Sequence, residues 1–207
     1  MKSKKYFDKV APSWDDMQKN MFPNKVREVA VKSANVKEGL IAADIGAGTG
    51  FITEELLKHN LKVIAIDQSD EMINEMKKRF HRDSKVDCRL GDAENLPVEN
   101  ESVDYVFANM YLHHVENPPA AIKEMLRILK PGGKIVITDA DEHNYEFLRT
   151  EQHDRWLGFK RDDILIWYEE AGIKNIKIDC VGADCSPTSE KSGEDVAISI
   201  FYALGEK

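Results

Sequence analysis

From residue 40 onward the chain repeats one order of events. A short apolar run of β-forming residues leads into a turn rich in glycine or acid, then a helical segment, then the next apolar run. The spacing predicts strands over 40–45, 61–66, 86–90, 103–108 and 134–138, and helices over 51–59, 70–81 and 120–130. Met72, Ile73, Met76 and Phe80 recur at helical spacing in the second of these helices. Pro131-Gly132-Gly133 is expected to end the third by removing a donor and supplying a turn. Strands alternating with helices at this period require a parallel sheet covered on both faces. The rhythm changes in the tail, where a helix over 161–171 precedes strands over 173–181 and 196–204, joined by a polar loop with no helical crossover. Such a connection permits an antiparallel pair, so the final strand is expected to run against the others.

Bulk properties narrow the rest. With 207 residues and 42% hydrophobic content the chain can bury one substantial core, and no shift in composition marks a second domain. One domain over 1–207 is expected, divided into an N-terminal helical lid (1–38), a core (39–140) and a tail (141–207). Lysine and arginine number 29 against 37 acidic residues, a net charge of −8, which argues against nucleic acid as a partner. No apolar run approaches bilayer-spanning length, and three cysteines, Cys88, Cys180 and Cys185, are too few for a disulfide framework or a four-ligand zinc site. A soluble, cytoplasmic protein is expected, with no metal.

In a doubly wound sheet, ligands gather at the carboxyl ends of the strands, so the turn after each strand is informative. Gly46-Ala47-Gly48-Thr49-Gly50 follows a strand ending Asp44-Ile45 and lets backbone approach a ligand closely. Its third glycine comes after one intervening residue, not the two of the dinucleotide fingerprint, which points away from a nicotinamide cofactor. Asp67 stands directly after the second strand, where a carboxylate can accept two hydrogen bonds from a ribose diol. An adenosine-type ligand is implied. Asp92, after the third strand, is placed to accept from an exocyclic adenine amine, and the fourth strand ends at Asn109 on the switch-point face.

Four segments, ADIGAGTGFITEELL, VIAIDQSDEMI, GDAENLPVENESVDYVFANMYLHHV and EMLRILKPGGKIVITD, occur in order across residues 40–140. Together they resemble the class I S-adenosylmethionine-dependent methyltransferases, in particular their quinone-methylating and related small-molecule branch. The resemblance implies a Rossmann-like, doubly wound α/β fold: a seven-stranded sheet, mostly parallel with an antiparallel last strand. It implies S-adenosylmethionine as cofactor, S-adenosylhomocysteine as product and a small-molecule acceptor. By the same similarity Asp44, Gly46, Gly48 and Gly50 would line the methionine portion, Asp67 the ribose, Gln68 and Met72 the adenine surroundings, Asp92 and Ala93 the adenine, and Asn109 the methyl-transfer end.

In-line transfer from a sulfonium asks mainly that the acceptor be held close and water kept out. Tyr111, His113, His114 and His153 are the candidates for positioning the acceptor or removing its proton, with packing or backbone bonding as their plainer reading. His143, Tyr145, His153, Asp154 and Trp156 either build an acceptor wall or form a surface excursion pinned by Trp156 and Phe159. Cys180 and Cys185 admit a second reading, thiolates holding a trivalent arsenic-type centre; the plainer one makes Cys180 a buried strand residue and Cys185 a loop thiol. Cys88 is expected to pack inside a central strand. Tyr6, Phe7 and Trp14 would close over the cofactor or anchor helices to the sheet. A module that senses the cofactor without turnover shares the same glycines and remains the alternative of a different class.

Overall fold

The computed structural model describes residues 2–207; Met1, the first residue of the expected lid, lies outside the described residues. Helix α1 (Lys2–Val10) runs through a 3-10 turn at Ala11–Ser13 into α2 (Trp14–Met21), and α3 (Lys25–Ala34) follows. The alternating region gives β1 (Ile41–Ile45), α4 (Phe51–Lys58), β2 (Lys62–Asp67), α5 (Asp70–Arg79), β3 (Val86–Leu90), β4 (Val103–Asn109), α6 (Pro118–Ile128) and β5 (Leu129–Ala140). The tail adds α7 (Phe147–Glu151), α8 (Arg161–Ala171), β6 (Lys174–Cys185) and β7 (Ile198–Glu206).

Among the described residues these strands form one seven-stranded sheet in the order β3-β2-β1-β4-β5-β7-β6. The first five pair in parallel, while β7 enters between β5 and β6 and pairs antiparallel with both. The order reverses between β1 and β4, which makes the crevice beyond their carboxyl ends the topological switch point.

Why the central strands carry almost no polar residues follows from the pleat. Ala42, Val63, Tyr105, Phe107 and Val136 point to one face, where Ala30, Val31, Ile52, Leu56, Ile73 and Met76 of α3, α4 and α5 cover them. Their neighbours Ala43, Val106, Ala108, Ile135 and Ile137 point to the other, under α6 and α8. Alternate residues serve two cores, so both must be apolar. A third cluster joins Phe22 and Val26 to Leu148, Val181, Ile198 and Ile200, tying the N-terminal helices to the tail.

Several expectations need correction. Helix α6 stops at Ile128, because Leu129 is already extended (φ −76°, ψ 133°) and Pro131 bars the helical conformation from Lys130. The Pro131-Gly132-Gly133 segment belongs to β5, whose pairing with β4 shifts register between Val103 and Tyr105. Cys88 lies half-buried on β3, which is an edge strand and not a central one. The two tail cysteines are exchanged relative to the expectation: Cys180 is exposed and Cys185 is buried, both on β6. Helix α3 is core, with Val26, Ala30, Val31 and Ala34 at most 2% exposed, so only α1 and α2 lie across the body. No helix among the described residues is long and apolar enough to cross a membrane.

Phe107 is 1% exposed in the middle of β4. Phe107→Ala is expected to cost about 3–5 kcal/mol through lost burial and the cavity left behind, measured by urea unfolding monitored by far-UV circular dichroism.

Candidate active site

The glycine turn is built by two buried carboxylates. Asp44, near the end of β1, accepts through Oδ2 from the Thr53 amide (2.9 Å) and the Thr53 hydroxyl (2.7 Å), which fixes the first turn of α4 against the strand. Asp67, the last residue of β2, accepts from the Gly48 amide through Oδ2 (2.9 Å) and from the Ser69 amide through Oδ1 (2.8 Å). Between them the chain turns through Gly46 (φ +68°) and Gly48 (φ +55°), left-handed positions that only glycine fills without strain. Burial pushes the Asp44 carboxyl up to about 7, against the two Thr53 hydrogen bonds, and it also raises that of Asp67. Neither aspartate has a cationic partner among the described residues.

Both face one large cleft at the switch point, about 990 Å³ including its open mouth and much of it narrow crevices between side chains. Helices α1 and α2 form its roof. Asp8 accepts from the Ser69 hydroxyl at 2.6 Å, Lys4 pairs with Asp70 at 2.7 Å, and Asp15 accepts a hydrogen bond from the Thr49 hydroxyl. The Trp14 indole nitrogen lies 3.3 Å from where a Gly48 Cβ would stand, and Phe7 meets the His114 ring edge-on at 4.9 Å.

Of the residues expected to hold the cofactor, Asp44, Gly46, Gly48, Asp67, Gln68, Met72 and Asn109 line the cleft. Gly50, Asp92 and Ala93 do not. Gly50 caps α4 with φ +99°, and its missing side chain makes room for Phe80. The Asp92 carboxylate accepts from the Glu94 amide within its own turn, and Ala93 is core. Tyr111 occupies the space between: its ring covers Gly46, and its hydroxyl meets the Ala93 backbone. Burial, reinforced by the Asp67 and Asp92 charges, drives its ionisation far above the ordinary tyrosine range, so it keeps its proton.

Tyr111, His113 and His114 also line the cleft, whereas the His153 side chain does not and sits edge-on to Tyr6 instead. A 3-10 turn, Leu112–His114, follows β4 and presents both rings at the far end from the glycine turn. His113 Nδ1 lies 2.7 Å from Asp139 Oδ1, and the same carboxylate accepts from the His113 amide at 3.3 Å. Asp154 brings its Oδ1 to 3.9 Å from His113 Nε2 and 3.7 Å from His114 Nδ1. Burial alone would lower the His113 pKa, but Asp139 and Asp154 outweigh it and raise it to about 9. His114 is held well below its usual range by burial and by its charged neighbour, and burial raises Asp154 to about 6. Asp139 had no role in the sequence reading. Its signal was available: it is the last residue of the ITD segment at a strand's carboxyl end. The two tail cysteines do not form a pair. Cys185 lines the cleft, while Cys180 is at the surface, accepting from the Gly182 amide.

Residues 43–137 match the family model of the methyltransferase domain, spanning β1 to β5 and both carboxylates of the turn. Over this stretch the chain is similar to class I S-adenosylmethionine-dependent methyltransferase domains. Over 136 residues, 64% of its length, it is 35% identical to the demethylmenaquinone methyltransferase of Paenarthrobacter aurescens, of which the match covers 53%. The chain spans about half the length of the first curated relatives it matches. Among solved structures, a chain from the complex of the Haloferax volcanii Trm112 methyltransferase activator with a methyltransferase superposes with a TM-score of 0.80 at 19% identity, covering 97% of this chain and 96% of that one. Phosphoethanolamine N-methyltransferase 2 of Haemonchus contortus, in complex with phosphomonomethylethanolamine and S-adenosylhomocysteine, gives 0.73 at 19% identity over 87% of this chain and 52% of its own. At these identities the structures establish that the methyltransferase domain shares their fold.

In this domain a Cβ on residue 46 would fall 2.1 Å from Tyr111 Cγ, at a backbone φ that L-residues disfavour. Gly46→Ala is expected to displace the Tyr111 ring and cost about 1–3 kcal/mol. Thermal unfolding reads the loss, and near-UV circular dichroism reads the altered tyrosine environment.

Proposed function

We propose that the protein is an S-adenosylmethionine-dependent methyltransferase that transfers a methyl group in line to a small-molecule acceptor, leaving S-adenosylhomocysteine. One observation carries the reading: two buried carboxylates, Asp44 and Asp67, end adjacent strands, face the same cleft and lack a cationic partner among the described residues. A ligand bearing both a cationic group and a hydroxylated sugar satisfies them, and the glycine turn between them admits its backbone-close approach. Asp67 spends each oxygen on one amide and keeps further lone pairs for a ribose diol. Asp44 and the turn at Gly46 and Gly48 would take the methionine portion, Gln68 and Met72 the adenine side, and Asn109 the end nearest the acceptor. Gly50, Asp92 and Ala93, which do not line the cleft, would support that site from outside it.

When bound, S-adenosylmethionine supplies a methyl group on a sulfonium, a good leaving group. The protein's task is then to place the acceptor atom roughly 3 Å from that carbon and exclude water. Phe7, Trp14 and Met21 from α1 and α2 close the cleft from above, with apolar surface suited to the body of a small molecule. His113, His114 and His143 give the same end its polar groups. Residues 1–38 contribute the roof through α1 and α2 and part of the core through α3, within one domain. A net charge of −8 disfavours nucleic acid as the acceptor, and cysteine usage fits a cytoplasmic location.

Turnover of radiolabelled S-adenosylmethionine with quinols, phenols, amines, thiols and arsenite is expected to label at least one acceptor. Tight binding of S-adenosylhomocysteine with no transfer to any acceptor would establish a sensing module instead. Asp67→Ala is expected to weaken S-adenosylhomocysteine binding by about 1–3 kcal/mol, the cost of leaving buried hydroxyls unpaired, in isothermal titration; unchanged affinity would remove Asp67 from the site. Because the empty-pocket Asp44 carboxyl ionises near 7 and a cationic ligand favours the carboxylate, affinity should rise with pH. Between pH 6 and 8 the ionised fraction, and with it the affinity, grows about tenfold. Asp44→Asn should flatten that slope, whereas a slope that persists assigns it to Asp67 or another group.

A further inference from the structure

The histidine end of the cleft holds two buried polar atoms without a hydrogen-bond partner, beside a third ligand-type atom, His113 Nε2. His114 Nδ1 and Asp154 Oδ1 are buried and have no hydrogen-bond partner, although their residues are each 9% exposed. Buried polar atoms are almost always paired, and leaving them bare is costly. They do not pair with each other or with His113, since Asp154 Oδ1 stands 3.7 Å from His114 Nδ1 and 3.9 Å from His113 Nε2, beyond hydrogen-bond reach. Such separations do suit ligands around a common ion. Donors bound at about 2.0–2.2 Å in a tetrahedral site stand roughly 3.4 Å apart, and one ligand atom each from His113, His114 and Asp154 lies within 4.8 Å of the others.

We propose that His113 Nε2, His114 Nδ1 and Asp154 Oδ1 bind a divalent transition-metal ion of the zinc class. Two imidazoles and one carboxylate exclude magnesium and calcium, which take oxygen ligands, and favour zinc, cobalt, nickel or ferrous iron. The surroundings are those of a built site. Asp139, fully buried, receives His113 Nδ1–H at 2.7 Å and leaves Nε2 facing Asp154, where an ion would displace the Nε2 proton, as at a metal-bound histidine backed by a carboxylate. The loop carrying Asp154 is locked to the histidine turn: the Arg155 and Trp156 amides both donate to the His113 carbonyl at 3.1 Å, and Trp156 Nε1 donates to the Val115 carbonyl at 3.0 Å. All three ligands line the cleft, so an ion held by three protein groups keeps a coordination position open toward the acceptor end. An acceptor carrying a hydroxyl or a thiol could fill it, and the ion would lower that group's pKa. The site stands on these side chains alone and does not depend on the methyl-donor reading.

The test uses the full chain, stripped with a chelator and titrated with Co²⁺ and with Zn²⁺. One ion per chain is expected, with a dissociation constant below about 1 μM, visible cobalt bands of a nitrogen and oxygen set, and a raised melting temperature. Asp154→Asn and His114→Gln, each checked for an unchanged far-UV spectrum, should weaken binding by a factor of about 100 or more. Asp139→Asn should weaken it 10–100-fold through the second shell. Cys180→Ser should leave it unchanged. Failure of the unmutated chain to bind either ion at micromolar concentration overturns the proposal. So do thiolate-to-cobalt charge-transfer bands that vanish in Cys180→Ser or Cys185→Ser, or full affinity in both Asp154→Asn and His114→Gln. Each readout is independent of methyl transfer.

Discussion

The hydrogen bonds from Thr53 to the Asp44 carboxylate are the constraint on which the rest of the site depends. A carboxylate with 1% of its surface exposed is costly inside a protein, and here the compensation comes from two donors at the first turn of α4. To reach them the helix must begin close beneath the end of β1. That leaves too little chain for anything but a tight left-handed turn, so Gly46 and Gly48 are a consequence of the bond as much as of the ligand. The Gly48 amide that the turn exposes is taken by Asp67, which joins the ends of β1 and β2 and sets the spacing of the two carboxylates. The donor end of the cleft is thus assembled by two acids and a turn.

The parts of this arrangement that could be read in the sequence are those carried by local pattern. Apolar runs of four to six residues ending at an acid or a glycine place the strand ends, and the ligand-facing turns lie there by topology. The antiparallel entry of β7 followed from the missing crossover helix before it. Strand order was not read, although β3 alternates Asp87 and Arg89 with Val86, Cys88 and Leu90, unlike the apolar runs of the central strands; Cys88 was misplaced because that alternation was passed over. In the tail the alternation of β6 was too weak to say which thiol faced in. Only the packing of Phe22, Val26 and Ile198 around Cys185 decides it. The helix before Pro131 was read as running to Lys130, whereas it ends two residues earlier, at Ile128.

At the histidine end His113, His114 and Asp154 were named as candidates, but their meeting with one another and with Asp139 was not legible. His113 and His114 come from the turn after β4, Asp139 from the end of β5 and Asp154 from the loop after α7, so no single stretch carries the cluster. Tertiary structure alone brings them together, and no spacing rule covers three elements separated by loops. The same holds for Tyr111, which follows Asn109 by two residues but reaches across Gly46 to the Ala93 backbone.

The two ends of the cleft are not independent, because one helix touches both. Asp8 of α1 accepts from Ser69 beside Asp67, and Lys4 pairs with Asp70 at the start of α5. From the same helix, Phe7 packs on His114 and Tyr6 on His153, against the loop that carries Asp154. A ligand at either end that shifted α1 would therefore alter the packing at the other. Such coupling requires no contact between the two ligands, only that each binds one placement of α1 better than another. Since few buried apolar contacts hold α1 and its anchors are mainly surface ion pairs and aromatic edges, the difference between placements is small enough for binding energy to decide it.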